Sequence, residues 1–146
     1  MILIKNGYVI DPESGFEDYA DIIIEAGIIK KIGCVDEESE ALDGENAFDN
    51  YEQVIDAKGM IVAPGLIDTH VHFRDPGFTY KEDIETGARA AAAGGFTTVV
   101  LMANTKPAVD TKETLSYVLE KGRKTGIHVE SCACITKGLA GKELTD

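Results

Sequence analysis

Two histidines, His70 and His72, stand two residues apart in the run Asp68-Thr69-His70-Val71-His72-Phe73-Arg74-Asp75-Pro76-Gly77. On an extended strand residues i and i+2 share a face, so both imidazoles are expected side by side at the end of one strand. Neutral imidazole is the commonest side-chain ligand for a divalent metal such as zinc. A strand end opening into a loop is also where barrel enzymes keep their chemistry. Arg74 follows at once, a fixed cation able to grip a carboxylate through two parallel hydrogen bonds, and the Pro76-Gly77 turn shapes the loop behind it. Two ligands do not complete a catalytic zinc site, which takes at least three from the protein.

Other candidates are weaker. Asn104, in Met102-Ala103-Asn104-Thr105-Lys106-Pro107, is expected at the matching end of a second strand, where it offers a donor group and an acceptor to a polar ligand. His128 opens a third strand and reads as structural. Cys132 and Cys134 share a face of that strand and read as core thiols rather than a soft-metal pair. Lys5, Lys58 and the remaining charged side chains read as solvated surface.

Strands must carry these residues, and the first part of the chain predicts them. MILIKNGYVI is strand-like with an Asn6-Gly7 turn signal, and DPESG is a dense turn cluster. ADIIIEAGIIKKIG predicts a hairpin about Glu25-Ala26-Gly27. Val54-Ile55 and Met60-Ile61-Val62 bracket an Asp-Ala-Lys-Gly turn. Residues 1–62 are therefore expected to form a small all-β unit, interrupted at 36–52 by eight carboxylates and no cation. Such a stretch repels itself and reads as a solvated loop or insertion.

From residue 63 the style changes. LIDTHVHF predicts a strand, and KEDIETGARAAAAGG a helix with Glu82, Asp83 and Glu85 in its first turn and Gly94-Gly95 at its end. FTTVVLMA is a continuous apolar run of the kind buried on both faces. TKETLSYVLEKGRKTG, with Leu115, Val118 and Leu119 at i, i+3 and i+4, predicts a second helix ended by Gly126, and IHVESCACI a third strand. The order β-α-β-α-β over 63–146 means an α/β fold with parallel strands and helical crossovers. Three strands are too few for a closed (β/α)8 barrel of about 250 residues, so an unfinished barrel is the simplest reading. Its open edge and uncovered apolar face predict an aggregation-prone or oligomeric chain.

Composition narrows the partners. Apolar residues at 44% and charged ones at 27% are those of a globular protein. No apolar run is long enough to cross a bilayer, and MILIKNGYVIDPESG, without a long apolar core or a small-residue cleavage site, is not expected to be a secretory signal. Twenty-six acidic against fourteen basic residues, a net charge of −12, argue against nucleic acid and anionic membranes, which both need a basic footprint. Three cysteines without an export signal read as reduced thiols in a cytoplasmic protein. Nucleotide binding is poorly supported, since no strand leads into a Gly-rich phosphate loop.

APGLIDTHVHFRDPG, GARAAAAGGFTTVV and MANTKP resemble the N-terminal part of the dihydroorotases, members of the amidohydrolase superfamily. The likeness covers nearly the whole chain apart from the acidic stretch. The Phe-Arg-Asp-Pro-Gly continuation distinguishes dihydroorotases from hydantoinases and allantoinases, the runner-up reading. Ala103 stands where the commoner motif has Pro. The resemblance implies a β-sandwich-like unit beside a (β/α)8 barrel with one or two zinc ions at its C-terminal rim. It implies His70 and His72 as metal ligands, with His72, Arg74 and Asn104 against the substrate. The reaction it implies is reversible closure of N-carbamoyl-L-aspartate to L-dihydroorotate in pyrimidine synthesis. A bridging ligand, two more histidines and the general acid/base Asp are expected beyond Asp146, so no catalytic proton-transfer residue is expected within this chain, and it is expected to be inactive alone. A homo-oligomer, or an assembly with aspartate transcarbamoylase in which a dihydroorotase-like chain is a structural partner, is the implied quaternary setting.

Overall fold

The structure, a computed structural model, describes residues 1–34, 48 and 50–146. Most of the acidic stretch at 36–52, with its expected loop, lies outside the described residues. The chain divides into two compact units, Met1–Pro64 and Gly65–Asp146. Among the described residues no helix is long and apolar enough to cross a membrane.

In the first unit β1 (Ile2–Asp11) pairs antiparallel with β2 (Phe16–Glu25), and β2 with β3 (Ile28–Gly33). The β2–β3 hairpin turns on Ala26 and Gly27, at φ 50° and 76°, the paired positive values a two-residue type I′ loop requires. β4 (Gln53–Asp56) and β5 (Ile61–Val62) both pair parallel to β1, on Ile2–Lys5 and Tyr8–Val9. Asn6-Gly7 is therefore not the turn its sequence suggests. A reversal there would break the ladder on both edges of β1, and Asn6 instead takes φ 61° in a bulge between Ile4 and Gly7. Lys5 also departs from the solvated reading, its ammonium lying 3.8 Å from the centre of the Phe48 ring. Among the described residues this unit is one mixed five-stranded sheet, with Val9, Ala20 and Ile22 at its core.

The second unit runs β6 (Leu66–Val71), α1 (Ile84–Ala93), β7 (Phe96–Leu101), α2 (Lys112–Gly122) and β8 (His128–Ser131). The three strands form a parallel sheet in the order β6-β7-β8. Asp83 caps α1, accepting from the Thr86 amide at 2.9 Å while the Thr86 hydroxyl accepts from the Asp83 amide at 3.3 Å. This reciprocal box satisfies two otherwise orphaned donors. Glu82 precedes the helix and only Glu85 lies in its first turn. α2 stops four residues before Gly126, because the Thr125 amide and hydroxyl both close on the Gly122 carbonyl, at 2.9 and 2.7 Å.

Both helices pack on one face of the sheet, where Ile84, Ala88 and Val118 meet Val99, Leu101 and Val129. The run expected to be buried on both faces therefore alternates. Val99 and Leu101 are buried, whereas Thr98 and Val100 are half-buried. Leu66 and Ile67 on β6 stay exposed. β8 is shorter than the third strand its sequence suggests, since β7 ends at Leu101 and leaves it no ladder partner beyond Cys132.

Candidate functional site

His70 and His72 do come together, but not by plain alternation. The pairing of β6 with β7 shifts between Asp68 and Val71, where β6 carries one extra residue. A bulge leaves the extra residue's backbone without a ladder partner and re-aims its side chain. The Asp68 carboxylate takes up the freed His70 amide, accepting from it at 2.9 Å. The two imidazoles end with ring centroids 5.3 Å apart and planes at 66°.

Asn104 emerges just past β7 and joins them. Its Oδ1 lies 3.0 Å from His72 Nδ1. An amide oxygen only accepts, so this contact sets the ring proton on Nδ1 and leaves Nε2 with its lone pair. A hydrogen bond to the ring nitrogen that faces away from the metal fixes tautomer and ring orientation in metal-ligating histidines. The Asn104 NH2 remains as a donor. His70, His72 and Asn104 line a cavity of about 420 Å³ with Cys132, Thr136 and Leu139. Arg74 lines a neighbouring cavity of about 470 Å³ that shares His72 and includes Lys81 and Glu82. Among the described residues its guanidinium has no hydrogen-bond or ion-pair partner.

The loop after β6 is held from beneath. Phe73, 5% exposed, is in the core, where a Cβ on Gly87 would come within 2.5 Å of its ring. Asp75 is 1% exposed, and its carboxylate accepts from Tyr117 Oη at 2.9 Å and Lys121 Nζ at 2.6 Å, both on α2. The hydrogen bond to Asp75 holds the Lys121 ammonium above its ordinary pKa. Burial, then the same carboxylate, raises that of the Tyr117 phenol. Sequence reading placed Lys121 on the solvated surface and gave Asp75 no role. The only available signal was Tyr117 and Lys121 at i and i+4 on one helix face.

The loops after β6 and β7 are also fastened to each other. The Lys106 amide donates to the Pro76 carbonyl at 3.1 Å. Gly77, at φ +94°, leaves no room for a side chain, since a Cβ would stand 1.8 Å from the Lys106 carbonyl oxygen.

Other titratable candidates stand apart. His128 is paired with Thr98 at the start of β8 and lines a different cavity. Cys134 is buried, its thiol 3.6 Å from the Ala103 carbonyl, with burial pushing its pKa up. Cys132 is exposed, so the two are not both the core thiols that the sequence suggests. Among the described residues, no group of three or more His, Cys, Asp and Glu could hold a metal ion. The two imidazoles fit part of a zinc donor set, with His72 Nε2 free to ligate.

A family profile described as Dihydro-orotase-like matches residues 59–146. The chain belongs to this family. The dihydroorotase of Clostridioides difficile (strain 630) is 58% identical over all 146 residues, which span 32% of that protein. The chain thus covers about a third of the length of the curated relatives it matches. A D-hydantoinase from Thermus sp. superposes with a TM-score of 0.67 at 29% identity, over 93% of this dihydroorotase-like chain and 28% of the hydantoinase. An atrazine chlorohydrolase from Arthrobacter aurescens TC1, solved with zinc, has the same fold at 21% identity and a TM-score of 0.68, over 100% of this chain and 38% of that one.

Proposed function

We propose that this chain supplies the opening part of a zinc-dependent dihydroorotase, which interconverts N-carbamoyl-L-aspartate and L-dihydroorotate, releasing water on ring closure. The observation that carries the reading is the 58% identity to a dihydroorotase along the entire chain. The β6-β7-β8 sheet is, in this proposal, the start of a (β/α)8 barrel with the β6 and β7 ends at its C-terminal rim, preceded by the small β unit at 1–62.

His70 and His72 would hold zinc, completed by ligands from outside these residues. When bound, the ion supplies Lewis acidity toward the ring amide carbonyl and toward water. Asn104 holds His72 in the ligating tautomer and turns its NH2 to a substrate carboxylate. Arg74, with no ion pair of its own among the described residues, grips the carboxylate bidentately and keeps the reacting carbon in place. His72 also lies against the substrate. The group that moves the proton in the ring-closing step is, in this reading, supplied from outside these residues, so residues 1–146 alone are expected to be inactive. A cytoplasmic homo-oligomer, or an assembly with aspartate transcarbamoylase, is the proposed setting.

The test uses the complete enzyme, either in its natural form or with residues 1–146 replacing the matching third of the Clostridioides difficile enzyme. Turnover of L-dihydroorotate with little turnover of hydantoin is expected. The reverse preference would overturn the reading in favour of a hydantoinase, whose neutral substrate has no use for Arg74.

A further inference from the structure

Arg74 has φ +61°, in the left-handed region where a residue with a Cβ is uncommon and costs free energy. Such a conformation persists only where the surroundings over-determine it. Its own guanidinium does not supply that hold, having no hydrogen-bond or ion-pair partner among the described residues. The neighbours do. Phe73 and Asp75 are buried at 5% and 1% exposure, one in the core and the other in a charged network. The Phe78 amide closes the turn on the Arg74 carbonyl at 2.9 Å.

We infer that Asp75 is a positioning residue that acts through Arg74, with Lys121 and Tyr117 of α2 as its anchors. Its carboxylate joins the loop after β6 to the helix layer, with the Ile84 amide at the start of α1 a long 3.5 Å away. A buried carboxylate without its cation is costly, so the network has one low-energy arrangement. That arrangement fixes the backbone on the C-terminal side of Arg74 while Phe73 fixes the other side. The guanidinium is thereby aimed by the main chain before any ligand arrives, which lowers the ordering cost of gripping a carboxylate. This inference rests on the proposed reading of Arg74 as the carboxylate holder.

A double-mutant cycle in the complete enzyme tests it. Asp75→Asn is expected to raise KM for L-dihydroorotate about 10- to 100-fold, with kcat far less affected. In an Arg74→Ala background the same change should add little, because the residue it acts through is gone. Tyr117→Phe should raise KM by about 3- to 10-fold, and Lys121→Arg should retain more affinity than Lys121→Met. If Asp75→Asn fails to fold, Tyr117→Phe keeps the carboxylate and its cation and carries the same cycle against Arg74→Ala. A full multiplicative effect in the Arg74→Ala background, or a loss of thermal stability with KM unchanged, would overturn the inference and leave the carboxylate reading standing. An unchanged KM in Arg74→Ala itself would remove that reading and the inference with it.

Discussion

The segments that follow β6 and β8 leave the sheet at the same strand ends and are held in opposite ways. After β6, residues 72–78 are fixed by burial: Phe73 goes into the core, and the buried Asp75 carboxylate meets the partly exposed Lys121 and Tyr117 side chains. After β8, Cys134 still reaches the core, but residues 135–146 are held largely by bonds among exposed groups. Lys137 pairs with Glu143 at 2.5 Å, and the Gly138 amide donates to Asp110 Oδ2 at 2.6 Å. Ile135, Leu139 and Leu144 meanwhile stay 80%, 55% and 70% exposed. Exposed polar bonds open with little cost, whereas a buried, paired network opens only with its core. A residue that must meet a ligand in a set geometry belongs in the first kind of loop, and Arg74, the proposed carboxylate holder, is there.

Chemistry gives the widest separation. His70→Ala in the complete enzyme should cost more activity than the roughly 100-fold that loss of a ligand's hydrogen-bond partner brings, read as turnover and bound zinc together. Cys132→Ala, in the same cavity but on the β8 segment, should leave both within a few-fold. Equal losses would erase the contrast between the two segments.

Stability should follow the same line. Lys121→Met strands a carboxylate that is fully buried while the lysine side chain is 28% exposed. Breaking a buried pair costs about 3–5 kcal/mol, and partial exposure of the lysine brings the expected loss to the lower end, read as a fall in Tm. Lys137→Met breaks a pair whose side chains are 45% and 68% exposed and should cost less than about 1 kcal/mol. Asn104→Ala frees the His72 ring and should weaken zinc binding about 10- to 100-fold, measured by competition with a chelator.

Alkaline pH gives a smaller and subtler difference. Lys121 and Tyr117 both have pKa values raised from 10.5 and 10.0 in the folded chain. The folded state then holds protons that the unfolded state has begun to lose, so their stabilisation is complete below those ordinary values and disappears as pH rises through the folded ones. The wild-type melting temperature should therefore fall above about pH 10 more steeply than that of Lys121→Met. Parallel slopes would mean that the network does not couple to folding.

Sequence alone disclosed the second unit well because its signals are local. Asp83 before an alanine-rich run, Gly94-Gly95 after it and a β-branched strand beyond are each read within a few residues. The grouping of His70, His72 and Asn104 was legible from strand ends, although the bulge that produces it was not. A bulge depends on pairing with β7, whose partner residues lie 30 and 31 positions away, Leu101 for Val71 and Val99 for Asp68. Asn6-Gly7 failed for the same reason, since neighbours on both edges of β1 overrode a local turn preference. Asp75 was hidden more deeply. Its partners lie 42 and 46 residues on, and nothing in a lone lysine near the end of a helix distinguishes an anchor from a solvated charge.

The contact of Gly77 with the Lys106 carbonyl has a dynamic consequence. Two loops that interlock at backbone level cannot breathe one at a time. The Lys106 amide, bonded to Pro76, and the Phe78 amide, bonded to Arg74, belong to a single opening unit and should exchange their hydrogens for deuterium with one shared protection. In the proposed reading, the loop presenting Arg74 and the loop presenting Asn104 are then two parts of one jaw, whose grip is set before either touches a ligand.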